Sequence, residues 1–219
     1  MTTAIEKVSD SVYHLPEVHG GPTILLGDGV VLVDTGVPGS ETAILAAVEE
    51  LGRTAGDVTD IVITHADGDH VGSLAALVEA TGATVWASAQ EADVIEGLTP
   101  ARSGDVQRRV SVDRRFQAGE TLPLRGGIET HDTHGHTQGH VSLFLRDGRI
   151  LIAGDALNNR DGSGVSGSAP EHTADAADAR ASVTALAALE PDTIVFGHGP
   201  SIVGGAAAEL TALDASIDG

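Results

Sequence analysis

The sequence contains no cysteine among its 219 residues. This absence excludes disulfide bonds and thiolate metal ligands, so a metal site in this chain would have to use histidine and carboxylate side chains. A chain without cysteine fits a cytoplasmic location, which we expect here. The first ten residues also lack a basic segment followed by an apolar stretch, so the sequence predicts no secretory signal.

Aromatic residues and long apolar runs are scarce as well. Three Phe, one Trp and one Tyr are present, so the core must be built from aliphatic side chains. No apolar run approaches the roughly 20 residues that a membrane-spanning helix needs. Short apolar segments that alternate with Ala-rich helical patterns instead indicate an α/β class and one domain over residues 1–219.

Basic residues are few. Twelve Lys and Arg face 32 Asp and Glu, which gives a formal net charge of −20. Such a surface repels polyanions, so nucleic acid and membrane are excluded as expected partners and a small-molecule substrate is favoured. The acidity is typical of an acidic proteome in a salty cytosol, and a GC-rich genome that disfavours Lys is the alternative explanation. The oligomeric state has no signature in the sequence.

Strand and helix patterns alternate along the chain. Short apolar runs predict strands over residues 12–15, 23–26, 30–33, 60–63, 84–87, 128–133, 142–146, 150–153 and 193–196. Apolar residues at helical spacing predict helices over residues 41–51, 71–81, 89–94, 175–189 and 205–216. Ser40 or Gly39 is expected to cap the first helix, and Gly27-Asp28-Gly29 to form a hairpin turn.

Two longer segments interrupt this alternation and are expected to be loops. Residues 97–116 hold five of the eleven arginines, and residues 157–173 are rich in Gly, Ser and Asn. The arginines either offset local acidity or bind a substrate carboxylate. We prefer the first interpretation, because charge runs usually face water.

Histidines and aspartates follow the predicted strands at the points where these strands end. Residues 64–70 read Thr-His-Ala-Asp-Gly-Asp-His, directly after an apolar run. Three later positions repeat this arrangement beside glycine: His136, Asp155 and His198. A polar turn is the simpler interpretation of any one of them. Because imidazole nitrogen and carboxylate oxygen bind metal ions, their recurrence at strand ends predicts a metal centre.

In their order, these motifs resemble those of the metallo-β-lactamase-fold hydrolase superfamily, and the resemblance extends from about residue 23 to residue 199. It implies a four-layer αβ/βα sandwich, in which two mixed β-sheets are flanked by helices and the metals lie at one edge between the sheets. It also implies two divalent metal ions, with Zn as the first choice and Fe or Mn as alternatives.

The resemblance assigns a role to each matching residue. His65 and His136 would hold the first metal ion. The second would be held by Asp69, His70 and His198, and both ions would be bridged by Asp155. Two further residues, Asp34 and His140, would lie beside the site without binding a metal.

Asp67 departs from the family pattern. The family usually has His there, so the first motif of this chain is His-x-Asp-x-Asp-His. Asp67 remains a candidate ligand, since a carboxylate oxygen can replace imidazole nitrogen, and the alternative is that it points away from the metal. Flavodiiron proteins of the same superfamily also carry an acidic residue there and bind iron.

The resemblance implies a dinuclear metal-dependent hydrolase. Two such ions would lower the pKa of a bridging water toward about 7, and the hydroxide would attack an ester, lactone, thioester or amide carbonyl. Asp69 would orient this nucleophile and pass a proton to the leaving group. His19, Asn158 and Arg160 are candidates for substrate contacts. The alternative is a di-iron redox domain of flavodiiron type that needs an external electron donor.

Overall fold

Aliphatic runs form two mixed β-sheets in the part of the chain that the computed structural model describes, residues 4–102 and 108–217. The chain divides into two units, residues 1–117 and 118–219, and each contains one of these sheets together with helices. The prediction of an α/β fold with two mixed sheets and flanking helices is therefore confirmed. Within the described residues, no helix is long and apolar enough to cross a membrane.

The first unit contains a seven-stranded sheet whose strands lie side by side in chain order. These are β1 (Glu6–Lys7), β2 (Val12–His14), β3 (Thr23–Leu26), β4 (Val30–Val33), β5 (Val58–Ile63), β6 (Thr84–Ser88) and β7 (Arg114–Phe116). Strands β1 to β4 pair antiparallel, with the predicted turn at 27–29 joining β3 and β4, whereas β4 to β7 pair in parallel. Parallel pairing requires crossover connections.

Helices of the first unit fall between its strands. They are α1 (Glu41–Glu50), α2 (Gly68–Val71), α3 (Leu74–Thr81) and α4 (Ala89–Ile95). Apolar side chains such as Ile44, Val48 and Leu77 are buried with those of the central strands in one aliphatic core. This packing fixes the carboxyl ends of β4 and β5, where acidic and histidine side chains begin.

Ser73 interrupts the helix predicted over residues 71–81 and separates α2 from α3. Its hydroxyl accepts hydrogen bonds from the backbone N–H groups of Ser40 (2.8 Å) and Glu41 (3.2 Å) at the start of α1. Ser40 is the N-cap residue of α1, as predicted, but its side chain makes no capping hydrogen bond. A hydroxyl from another helix satisfies these N–H groups instead.

The second unit contains a six-stranded sheet in the order β15-β14-β11-β10-β9-β8. The strands of this unit are β8 (Thr121–Leu122), β9 (Ile128–Asp132), β10 (Val141–Leu145), β11 (Ile150–Ile152), β12 (Leu157–Asn158), β13 (Ser166–Gly167), β14 (Thr193–Val195) and β15 (Ile202–Val203). Strands β11 and β14 pair in parallel, and the other neighbours pair antiparallel. Strands β12 and β13 form a separate ribbon within residues 157–173, so this segment is not wholly loop.

Helices α5 (Ala176–Ala187) and α6 (Ala206–Ile217) complete the second unit. Val183 and Leu186 of α5 and Leu210 of α6 are buried with Ile194 and Phe196, which lie on and just after β14. The helices therefore hold the strand that leads to His198.

We expect Asp175→Ala to destabilise α5. The Asp175 carboxylate accepts hydrogen bonds from the backbone N–H groups of Ala177 (2.8 Å) and Asp178 (3.1 Å). Loss of this cap should lower the melting temperature by about 2–4 °C, measured by calorimetry at pH 7. Asp175→Asn keeps the acceptor and is the control. A melting temperature equally lowered in both variants would contradict the assignment.

The contribution of this cap should also depend on pH. Hydrogen bonds from Asp178 and Ala177 lower the pKa of Asp175 below its usual 3.8. Because the folded-state pKa is lowered, the stabilisation is present above pH 3.8 and is lost as the pH falls through the folded-state value. The difference between wild type and Asp175→Ala should shrink accordingly.

Candidate metal centre

The first cluster of candidate ligands lies in the first unit, where β5 ends. His65 and His70 are fully buried, and their ring centroids lie 4.0 Å apart. Between them, the backbone N–H of Ala66 donates to the buried carboxylate of Glu91 at 2.8 Å. The short helix α2 then carries Asp69 and His70. Strand, buried hydrogen bond and helix together fix the direction of this motif.

Asp34 orients both histidines of this cluster. It follows β4, the parallel neighbour of β5, and adopts a left-handed backbone with φ of 59°. Its carboxylate accepts from the Thr64 N–H (2.8 Å) and the Thr64 hydroxyl (2.7 Å), and lies 2.8 Å from His70 Nδ1. A carboxylate accepts only, so His70 carries its proton on Nδ1. Nε2 is then the nitrogen that can bind a metal.

Thr64 connects His65 to the same hydrogen-bond network and determines the proton position on its ring. Its hydroxyl donates to Asp34 and lies 3.0 Å from His65 Nδ1. Since the single hydroxyl proton is already given to Asp34, His65 Nδ1 is the donor in the second hydrogen bond. His65 therefore also presents Nε2 as its metal-binding nitrogen.

The two aspartates of the motif have different neighbours. Asp67 accepts a hydrogen bond from the guanidinium of Arg102, and its Oδ2 lies 3.9 Å from His65 Nε2. Asp69 Oδ2 lies 3.2 Å from His19 Nε2 and 3.9 Å from His70 Nε2.

Gly20 allows the loop that carries His19 to reach the motif. A Cβ at Gly20 would lie 1.9 Å from the carbonyl oxygen of Asp69, and its φ is +86°. Glycine tolerates both the close approach and the left-handed backbone. The structure thus places the His19 side chain beside the Asp69 carboxylate.

The second cluster lies in the second unit, at the ends of β11 and β14. Ile152 pairs with Val195 in these parallel strands, so Asp155 and His198, each three residues further on, reach the same edge. His198 Nε2 lies 3.3 Å from Asp155 Oδ2, and His136 Nε2 lies 3.6 Å from the same oxygen. All three side chains are buried.

A chain of hydroxyl groups sets the tautomer of His136. The Thr173 hydroxyl donates to the Ala169 carbonyl (2.7 Å), and the hydroxyls of Ser168 and Thr173 lie 2.8 Å apart. The Ser168 hydroxyl therefore donates to Thr173 and accepts from His136 Nδ1 at 3.0 Å. His136, like His65 and His70, presents Nε2 as its metal-binding nitrogen.

These distances and atoms fit a divalent metal ion. Two ligand atoms on a tetrahedral zinc ion with bonds of about 2.1 Å lie about 3.4 Å apart. The separations of 3.3 and 3.6 Å around Asp155 Oδ2 match that value. Imidazole Nε2 with carboxylate oxygen is also a donor set that zinc, iron and manganese accept.

His140 lies behind Asp155. Its Nε2 accepts a hydrogen bond from the Asp155 N–H at 3.0 Å, so the proton of the neutral ring lies on Nδ1, 2.8 Å from the Thr133 hydroxyl. The Thr133 hydroxyl lies 3.1 Å from that of Ser142, which donates to the Ala153 carbonyl at 3.0 Å. This buried chain holds both sides of the turn that carries Asp155.

The candidates that follow Asp155 differ in environment. The buried Asn158 donates to the Gly167 carbonyl and accepts from the Ser166 hydroxyl at 2.9 Å, so its side chain closes the β12–β13 ribbon. Arg160 is exposed. The neighbouring Asn159 donates its backbone N–H to the His198 carbonyl at 2.9 Å, which ties the ribbon to the loop of a candidate ligand.

Sequence reasoning missed Glu91 as a support of the motif. Ser88 and Glu91 have the spacing of a helix capping box, in which the glutamate would bond to the backbone of Ser88. The Ser88 hydroxyl does accept from the Glu91 N–H at 3.4 Å, but the Glu91 carboxylate accepts from Ala66. The local capping signal therefore conceals a long-range contact that no sequence pattern shows.

Comparison with known proteins identifies the family of this chain. The family model of the metallo-beta-lactamase superfamily matches residues 19–198. The chain therefore belongs to this superfamily and is a metal-dependent hydrolase, with two clusters of His and Asp as its candidate metal-binding residues.

Individual relatives extend the comparison. The probable metallo-hydrolase YflN of Bacillus subtilis is 30% identical over 203 residues, which cover 80% of this chain and 76% of that protein. A hydroxyacylglutathione hydrolase of Rhizobium meliloti is 34% identical over 160 residues, covering 72% of this chain and 54% of that protein. A metallo-β-lactamase from Cronobacter sakazakii has a TM-score of 0.76 at 22% identity, over 98% of this chain and 92% of that one. This last likeness shows the fold.

We expect Asp34→Ala to weaken metal binding roughly 10- to 100-fold, because His65 and His70 lose the group that fixes their tautomers. The measurement is the zinc dissociation constant, obtained by competition with a chromophoric chelator. Asp60→Ala is the matched control, since Asp60 lies on β5, which leads into the motif, but accepts from the indole of Trp86 on β6 at 2.7 Å. Equal zinc affinities in the two variants would refute the role of Asp34.

We expect the His140 ring to carry its proton on Nδ1, because Nε2 accepts a hydrogen bond from the Asp155 N–H. A proton on His140 Nε2 would place an N–H opposite the Asp155 N–H, from which Nε2 now accepts a hydrogen bond. Nitrogen NMR of the histidine rings tests this. His134 is the internal reference, because its hydrogen bond to Asp132 raises the pKa of His134 above 6.5. A His140 ring with its proton on Nε2 would contradict the assignment.

Proposed function

We propose that the protein is a dinuclear metallohydrolase that cleaves an ester, lactone, thioester or amide. The observation that carries this proposal is the common state of three buried histidines. His65, His70 and His136 each direct Nδ1 to a protein oxygen, so each offers Nε2 to a metal. Ligand histidines in metal sites are usually oriented in this way.

The proposed ligand sets follow the family pattern. The first metal ion would be held by His65, Asp67 and His136. The second would be held by Asp69, His70 and His198, and Asp155 would serve both ions. Zinc is the preferred metal, with iron or manganese as alternatives. The family match from residue 19 to residue 198 supports our proposal that residues 1–219 form one domain.

When bound, two divalent ions would lower the pKa of a shared water and polarise the substrate carbonyl. The protein supplies orientation and proton transfer. Asp34 and His140 keep the ligands of each unit in place. Asp69, with about a quarter of its side chain exposed, takes the proton of the attacking water and passes it to the leaving group. The more exposed His19, 3.2 Å from Asp69, is in position to contact the substrate or relay that proton.

The substrate class is narrowed by relatives and by charge. Because hydroxyacylglutathione hydrolases are among the relatives, acyl conjugates of glutathione, which are thioesters, are the first compounds to test. The chain spans only 37–54% of those proteins. The net charge of −20 disfavours polyanionic substrates such as nucleic acids. The cytoplasmic location and the acidic-proteome interpretation stay predictions.

We expect Asp69→Ala to reduce hydrolysis roughly 100- to 10,000-fold, because the variant loses a proposed ligand and the proton-transfer group together. Initial rates on an ester, lactone and thioester panel, with zinc per chain by elemental analysis, provide the measurement. Asp10→Ala is the control, since Asp10 pairs only locally with Lys7 at the surface.

Undiminished hydrolysis by Asp69→Ala would refute the proposed site. Protein purified without added metal provides a second test. Iron with a redox-active spectrum and no hydrolysis of the panel would favour the di-iron redox alternative. Hydrolysis that disappears with a chelator and returns with zinc would support the hydrolase.

A further inference from the structure

Asp67 is paired with a cation from a distant part of the chain. The guanidinium of Arg102 donates to Asp67 Oδ2, the oxygen that also lies 3.9 Å from His65 Nε2. The side chains of Asp67 and Arg102 are 17% and 35% exposed, so water screens the pair only in part. The permanent positive charge of Arg102 therefore lies next to the candidate metal ligand Asp67.

Two other arginines of residues 97–116 have partners elsewhere. Arg108 pairs with Glu79 of α3 at 3.0 Å, and both side chains are about 70% exposed. Arg115 bridges Asp93 and Glu96 at the end of α4, at 2.7 Å each. These are the surface charge offsets that the sequence suggested. Arg102 is different, because its partner belongs to the metal motif.

We propose that Arg102 is a charge-compensating residue of the metal centre, and that the Asp67–Arg102 pair replaces one neutral histidine. The inference rests on the proposed function. A neutral imidazole at position 67 would add no charge, whereas a carboxylate adds one negative charge. Arg102, which is permanently protonated, restores the balance. The pair thus gives the centre an oxygen donor without changing its formal charge.

The Asp67 carboxylate can accept a hydrogen bond from Arg102 and bind a metal ion at the same time. It offers two oxygens with about four lone-pair positions, so the hydrogen bond from Arg102 leaves capacity for a metal. The compensation sets affinity, because the charge of the ligand set acts directly on a divalent cation. Asp67→His leaves the Arg102 charge uncompensated beside the ion. Arg102→Gln leaves the Asp67 charge uncompensated, which attracts the ion.

The two residues should therefore be coupled in metal binding, and a double-mutant cycle measures that coupling. We expect Asp67→His to weaken zinc binding roughly 10- to 100-fold. Adding Arg102→Gln should recover most of this loss, and Arg102→Gln alone should tighten binding. The measurements are zinc dissociation constants by chelator competition and zinc per chain by elemental analysis, on the full chain.

Arg108→Gln, added to Asp67→His, is the matched control, because it removes one arginine of the same segment whose partner is Glu79. It should recover nothing. Arg102→Lys keeps the charge and should bind zinc as the wild type does. This comparison separates the charge of Arg102 from its packing.

Equal losses in Asp67→His and in the double variant would overturn the inference and leave the hydrolase proposal standing. If Asp67→His fails to fold by circular dichroism, Arg102→Gln alone decides: tighter zinc binding supports the inference, and unchanged or weaker binding overturns it. A wild-type chain that takes up neither zinc, iron nor manganese would overturn the proposed function as well.

Discussion

The hydrogen bonds of the Asp34 carboxylate are the interaction on which the first half of the candidate centre depends. This one buried group receives the Thr64 backbone and hydroxyl and the ring of His70, and through Thr64 it determines the proton position of His65. Such a group is costly to bury unless its oxygens are satisfied. The hydrogen bonds that compensate its burial also orient the rings of His65 and His70. The same contacts therefore contribute to the stability of the fold and to the geometry of the site.

In the second unit, the residue that orients a candidate ligand is a neutral histidine. His140 accepts from the backbone of Asp155, and its other nitrogen begins a relay of hydroxyls that ends on the Ala153 carbonyl. A second carboxylate behind Asp155 would repel it, because like charges at short range disfavour each other. Imidazole can accept on one side and donate on the other without adding charge. The difference between the two supports follows from the charge of the ligand that each one holds.

Much of the fold and of the candidate site could be predicted from sequence, because long apolar strands and the residues at their ends are local features. That the candidate ligands Asp155 and His198 reach one edge of their sheet follows directly, since the parallel neighbours β11 and β14 end there. The two- and three-residue edge strands β1, β7, β8 and β15 were not predicted, because runs this short carry no periodicity. The cap by Ser73 and the Glu91 contact were missed for another reason: both join residues at least 25 positions apart in the chain.

The same distinction explains why Asp67 is ambiguous in the sequence. A motif of six residues reveals the type of each donor atom, but the charge of a metal centre is a sum over everything nearby. In a chain with 32 acidic and 12 basic residues, an added aspartate looks like one more negative charge. The guanidinium that offsets it comes from 35 positions away. The sequence alone therefore suggests an oxygen-rich, more acidic centre, whereas the proposed compensation by Arg102 would leave the charge of the centre unchanged. Donor chemistry and net charge are thus set by different parts of the chain, and each can change without the other.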